Sequence, residues 1–315
     1  MIEKVLIKGT FLDEISHDIP HQNWGEKEWS LDFKHMKSIG IDKVILIRSG
    51  YKNWITYPSK VLVLEENAIA PYSDLVALFL RLSDENEMDF YFGLYDSGKY
   101  WTSGAYEKEI SLNCKVIDEV WESYGNCKAF KGWYLSQECN KNIGGIIDLY
   151  AHLGQYCKQV SGGLTVLISP YIDGIKNISQ YSAQSHREQS ITLDEHFKTW
   201  ETIFKAIRES VDIVAFQDGH VNYDQLEDFI MVNKSLADLN QMTSWINSET
   251  FDRDMPIKFL PIKWDKLRYK LEIAGKAGIS EAITFEFSHF MSPQSAYPQA
   301  GHLYRRYQAY LKEKK

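Results

Sequence analysis

The chain has 315 residues, 44% of them hydrophobic and 25% charged, so it can bury one large core or two medium ones. Its net charge is -8 and its basic residues are scattered, which excludes a Lys/Arg stripe able to neutralise a phosphate backbone and argues against nucleic acid as a partner. No apolar run approaches the roughly 20 residues that cross a bilayer, and acids interrupt the opening "MIEKVLIKGTFLDEIS" where a signal segment would be apolar, so the chain reads as cytoplasmic unless a leader was removed.

In chain order, eight short β-rich runs recur: "VLIKGTF" (5–11), "KVILIRS" (43–49), "DFYFGLY" (89–95), "GWYLSQE" (132–138), "LTVLISP" (164–170), "DIVAFQD" (212–218), "TSWINSE" (243–249) and "AITFEFS" (282–288). Amphipathic segments lie between them. "WSLDFKHMKSIG" repeats Trp29, Phe33 and Met36 at helical steps and stops at Gly40, and "SDLVALFLRLSDENE" opens on a capping serine. "YEKEISLNCKVIDEVWESYG", "LDEHFKTWETIFKAIRES", "YDQLEDFIMVNKSLADLNQ", "KLRYKLEIAGKAG" and "HLYRRYQAYLKEKK" continue the set.

Strand and helix in regular alternation form parallel βα units, and eight units predict a single α/β domain over residues 1–315, a (β/α)8 TIM barrel. A doubly wound open sheet is the competitor. It would carry a Gly-rich phosphate turn after its first strand, and neither GxGxxG nor GxxxxGK[ST] occurs. Cys114, Cys127, Cys139 and Cys157 lack CxxC or zinc-type spacing and read as free thiols. No GxSxG or HExxH motif occurs either.

In such a barrel the site forms where the strands end, so polar residues there are the candidates. The first strand is followed by Asp13 and Glu14 and the third by Asp96; the fourth ends in Gln137 and Glu138. The sixth ends in Gln217 and Asp218, near His220, the seventh in Asn247 and Glu249, and the eighth near Glu286 and His289. One acid at a strand end simply meets water. Several facing one mouth repel each other unless a proton, cation or ligand compensates.

Two carboxyls across a sugar-sized gap are the apparatus of glycosidic bond cleavage. With Glu138 and Glu249 at the ends of strands four and seven, the sequence resembles the clan A (β/α)8 glycoside hydrolases. "KGTFLD", "GWYLSQE", "WINSETF" and "FEFSHFMSP" look more closely like a bacterial barrel family of unknown function grouped with them. The resemblance implies a retaining hydrolase acting on carbohydrate without a cofactor, Glu138 being the acid/base and Glu249 the nucleophile. The clan places Asn before its acid/base, whereas Gln137 stands here.

Further expected substrate contacts are Gln137, Asp218, His220, Asn247, Glu286, His289, Trp54, Tyr95, Asp96 and Trp101, the aromatics because their rings can stack on pyranose faces. Glu286 would lie beside Glu249 if alternation turned it inward. The loops "GYKNWITYPSKVLVLEENAIAPYS" and "YIDGIKNISQYSAQSHREQS" are long enough to carry specificity. Two rival readings remain. A metal-dependent sugar isomerase or epimerase could ligate Mn or Mg through Glu138, Asp218, His220, Glu249, Glu286 and His289, and a barrel could bind glycan without catalysis.

Overall fold

A computed structural model describes residues 4–16, 19, 21–141, 144–174, 191–253 and 259–313. Eight parallel strands close into a barrel: β1 (Leu6–Leu12), β2 (Lys43–Leu46), β3 (Asp89–Gly93), β4 (Phe130–Leu135), β5 (Thr165–Ile168), β6 (Ile213–Gln217), β7 (Thr243–Asn247) and β8 (Glu281–Thr284). Each pairs with its neighbours in sequence. The ring closes where β1 meets β8, with Leu6 opposite Glu281 and Thr10 opposite Thr284.

The strands are apolar throughout because both faces are buried. Phe11, Ile45, Tyr91, Tyr134, Leu167, Trp245 and Ile283 fill the barrel interior, while Val44, Phe92, Trp133, Val166 and Ile246 on the opposite faces join the layer under the helices. Glycine has a reason at one interior position. A Cβ on Gly132 would fall 2.3 Å from the Tyr91 ring, so the bare backbone of β4 makes room for a large neighbour.

The return segments are helices α1 (Glu26–Ser38), α2 (Leu75–Glu85), α3 (Tyr106–Tyr124), α4 (Ile146–Ser161), α5 (Leu193–Ile207), α6 (Tyr223–Leu239), α7 (Trp264–Lys276) and α8 (Pro298–Lys312). In α1, Trp29, Phe33 and Met36 are the buried stripe. Asp74 rather than Ser73 caps α2, its carboxylate accepting the Ala77 N–H at 2.9 Å. The segments named from periodicity omit α4, which buries Ile146, Leu149, Tyr150, Leu153 and Cys157. Among the described residues no helix is long and apolar enough to cross a membrane.

Most strands end two to four residues before the apolar runs do, so most of the polar residues expected at strand ends belong to the connections, Gln217 and Asn247 being the last residues of β6 and β7. After β2 the chain folds into a small sheet, Gly50–Tyr51 pairing with Trp54–Ile55 and with Tyr95–Asp96, followed by a short helix, Lys60–Glu66. Of the expected specificity loop after β5, residues 175–190 lie outside the described residues.

Buried acids lie in the helix layer, Asp32 of α1 and Glu109 of α3 among them. Asp32 of α1 is fully enclosed and accepts hydrogen bonds from Ser288 Oγ at 2.8 Å and from Ser292 Oγ, tying α1 to the segment after β8. Burial outweighs these donors and pushes its pKa from 3.8 up to about 7. The fold therefore keeps a proton that the unfolded chain releases, and stability falls as pH rises between those values, by up to about 1.4 kcal/mol per pH unit. Asp32→Asn is expected to flatten this dependence between about pH 4 and pH 7. Urea titrations at several pH values check it; parallel curves for variant and parent would refute it.

Candidate active site

Beyond β4 the side chains keep alternating. Tyr134 faces the interior, Ser136 on the same face donates to the Ile47 carbonyl at 2.9 Å, and Glu138 follows at the mouth. Along β7 and just past its end, Trp245, Asn247 and Glu249 form the same kind of series at every second position. Both acids consequently line one cavity of about 190 Å3, together with Arg48, Gln217, Arg253 and Phe285.

Their surroundings treat the two carboxyls in opposite ways. Glu138 is half-buried, and burial raises its pKa above the usual carboxylate value against the opposing pull of Arg48. Tyr134 donates to its Oε1 at 2.7 Å, and Gln217, whose Nε2 donates to the Ser169 carbonyl at 2.8 Å, lines the cavity beside it. Glu249 is only 2% exposed. Burial would raise its pKa too, but Arg253 overrides that, assisted by Lys270 and His220, and holds the carboxyl at about 2. Arg253 Nε and Nη2 each donate to one Glu249 oxygen at 2.8 Å, while the guanidinium lies 4.8 Å from the Phe251 ring centroid and 5.8 Å from that of Phe259. A carboxylate has about four lone-pair directions, so a bidentate arginine leaves two for other partners.

The Glu249 side chain fits only because position 219 has no side chain. A Cβ there would lie 1.9 Å from its Oε2. The neighbouring Asp218, fully buried, receives Lys270 Nζ at 2.7 Å and the Glu249 N–H at 3.1 Å, so it braces the backbone that carries Glu249. Together the cavity presents one carboxyl that favours its proton and one that stays ionised, a division suited to acid and nucleophile duties.

Several expected contacts lie elsewhere. Gln137 alternates to the outer face, where its Nε2 donates to the Tyr95 carbonyl at 2.8 Å and to Glu109 of α3 at 2.9 Å; it is buried behind the strand and cannot stand in for the clan's asparagine. Asp218 is occupied by Lys270. Asn247 is buried one step beneath Glu249 and donates to Ser169 Oγ at 3.0 Å. His220 packs 5.2 Å from the Tyr171 ring and reaches Glu249 through its field.

Glu286 does not join Glu249. The chain has left β8 at Thr284, and the Glu286 carboxylate turns to cap the short helix Phe287–Phe290, accepting the Ser288 and His289 N–H groups at 2.9 and 2.6 Å and bonding His289 Nδ1 at 2.5 Å. His289 is thereby drawn into that buried pair. Trp54 is 58% exposed on the small sheet, and Tyr95 is buried with its hydroxyl on the Lys52 carbonyl. Trp101 donates to Asp96 at 2.9 Å. None of these aromatics lines the cavity, and Asp96 reaches it only through its charge on Arg48 and Glu138.

The six residues a metal site would have drawn on are thus dispersed over three surroundings. Among the described residues, no group of three His, Cys, Asp or Glu side chains is placed to hold a metal ion. Conversely, Arg48, Tyr134 and Arg253 lie outside the residues expected from the sequence, and Gln217, a strand-end candidate not counted among the expected contacts, lines the cavity. Arg48 had a visible signal, a charge inside the apolar run "KVILIRS"; Tyr134 had the same parity as Glu138. Arg253 lies past the strand, where periodicity ends.

The family model described as Domain of unknown function (DUF4434) matches residues 7–297. Among solved structures, the chain is 57% identical to a candidate alpha-L-fucosidase from Bacteroides thetaiotaomicron VPI-5482, with 99% of this chain and 94% of that one covered at a TM-score of 0.92. It shares its fold with the endo-1,4-beta-D-mannanase of Thermotoga petrophila RKU-1 (TM-score 0.56, 10% identity, 90% and 88% covered) and the beta-glucosidase of Thermotoga maritima (0.55, 9%, 93% and 90%). No curated protein matches the sequence.

Proposed function

The chain belongs to the family named Domain of unknown function (DUF4434), and from that premise we propose that it is a glycoside hydrolase, one barrel domain over residues 1–315 acting on carbohydrate by retention. The observation that carries this reading is the pair Glu138 and Glu249 on one cavity with pKa values displaced in opposite directions. The hydrolase barrels that share the fold, and the 57% identical relative described as a candidate alpha-L-fucosidase, support it.

In the first step Glu138 gives its proton to the leaving oxygen while Glu249 attacks the anomeric carbon. In the second, Glu138 as base activates water that releases the sugar from Glu249. The cavity of about 190 Å3 is smaller than the roughly 300–1,000 Å3 of drug-sized ligand pockets, which suits one sugar unit in the reacting position.

Hydrolysis of a panel of nitrophenyl glycosides, alpha-L-fucoside among them, tests the reading, with Glu138→Gln as control and the first-formed anomer read by proton NMR. Turnover unchanged in that control would sink it, and an inverted anomer would remove retention alone. The panel also reads pH. Glu138 must hold its proton, so activity is expected to fall as pH rises through its elevated pKa. Tyr134→Phe removes a donor that favours the ionised form and should carry that alkaline limb to higher pH; an unmoved limb would show that Tyr134 does not tune the acid.

A further inference from the structure

Among the described residues, no carboxylate pairs with Arg48, a cation of the cavity. It lines the cavity beside Glu138, is half-buried, and its Nε is enclosed without a hydrogen-bond partner. Among the described residues no ion pair engages its guanidinium, which instead lies 5.3 Å from the Tyr51 ring centroid. Three acids act on it only through space, namely Glu138, Asp96 and Asp13; each has an oxygen engaged elsewhere, while Asp13 Oδ2 is buried without a hydrogen-bond partner. Asp96 accepts from Trp101 and from the Gly98 N–H, Asp13 accepts the Ile15 and Ser16 N–H groups, and Glu138 accepts from Tyr134.

Arg253, the other guanidinium of the cavity, differs in that Glu249 takes two of its donors. A buried donor without a partner is costly and calls for one. The planar fork of an arginine matches the two coplanar oxygens of a carboxylate. When Glu138 carries the proton that acid catalysis needs, the negative charge nearest Arg48 disappears and an incoming anion is favoured further.

We propose that Arg48 binds a carboxylate carried by the sugar in the cavity, so that the ligand is a uronate or a uronate-terminated glycan. The proposal rests on the glycosidase reading for its placement of the sugar, and it assigns Arg48 as a specificity-determining residue.

Calorimetric titration of the parent protein and of Glu138→Gln with glucuronate and galacturonate, and with glucose, galactose and fucose, provides the test. The uronates are expected to bind about ten- to a hundredfold more tightly than the neutral sugars, the range set by a charge-assisted contact. Arg48→Met should erase that preference, and Arg48→Lys should keep part of it. On the unaltered protein, the NMR signal of the Arg48 Nε–H should shift with uronate and stay with neutral sugar, whatever the fate of the variants. Uronates that bind no more tightly than neutral sugars, absence of binding included, overturn the proposal, as does an unshifted Arg48 signal or a preference surviving Arg48→Met. Failure here with turnover of neutral glycosides leaves the hydrolase standing; uronate binding through Arg48 with no glycoside cleaved removes the hydrolase instead.

Discussion

Glu249→Gln is expected to abolish turnover, lowering kcat/KM by at least about 10³-fold, because the proposed covalent mechanism loses its nucleophile while the shape of the cavity is kept. Binding should survive, since Gln fills the same space. The variant also leaves Arg253 facing a neutral amide in place of the ionised carboxylate that takes two of its donors, so a modest loss of stability accompanies the loss of rate. Steady-state kinetics on whichever glycoside the panel identifies, beside a thermal melt, checks both. Activity within tenfold of the parent would remove Glu249 from the chemistry.

Gly219→Ala is the second large effect, and it touches neither acid by substitution. The added methyl would lie 1.9 Å from Glu249 Oε2 and 2.1 Å from Oε1, so the carboxylate must leave its place between Gly219 and Arg253. A displacement of about 1 Å in a reacting group is enough to cost roughly 10²-fold in rate, and that much is expected in kcat. Substrate affinity should change far less. Because moving the carboxylate weakens its pairing with Arg253, its pKa should climb from about 2 and an acid limb should enter the pH profile of the variant. A variant with parental kcat and no new acid limb would mean that the pocket repacks at no cost.

Much of this architecture is legible in the sequence, because the barrel writes its repeat as apolar runs separated by helical stripes. Glu138 and Glu249 could be reached by counting strands and choosing the last acid in each. One cause of departure is that the apolar runs overshoot the strands. Once the ladder ends, alternation no longer fixes a side chain's direction, and Glu286 turns back to cap Phe287–Phe290. Gln137 fails differently, since alternation does hold there and sends it outward to Glu109. The apolar positions of α4, Ile146, Leu149, Tyr150, Leu153 and Cys157, recur at helical spacing, so this helix too has its signal in the sequence. Arg253 could not have been placed without knowing that the chain folds over Glu249.

The partners of the two acids have a consequence for how such a site can be inherited. Glu138 takes its hydrogen bond from Tyr134, four positions earlier, and Glu249 its ion pair from Arg253, four positions later. Each acid is encoded with its own tuner in a stretch of five residues, one cassette on either side of the mouth. Recombination that exchanges residues 134–138 or 249–253 as one piece would carry an acid together with one of the partners that set its proton affinity, while the remaining loops stay at liberty to drift toward new ligands.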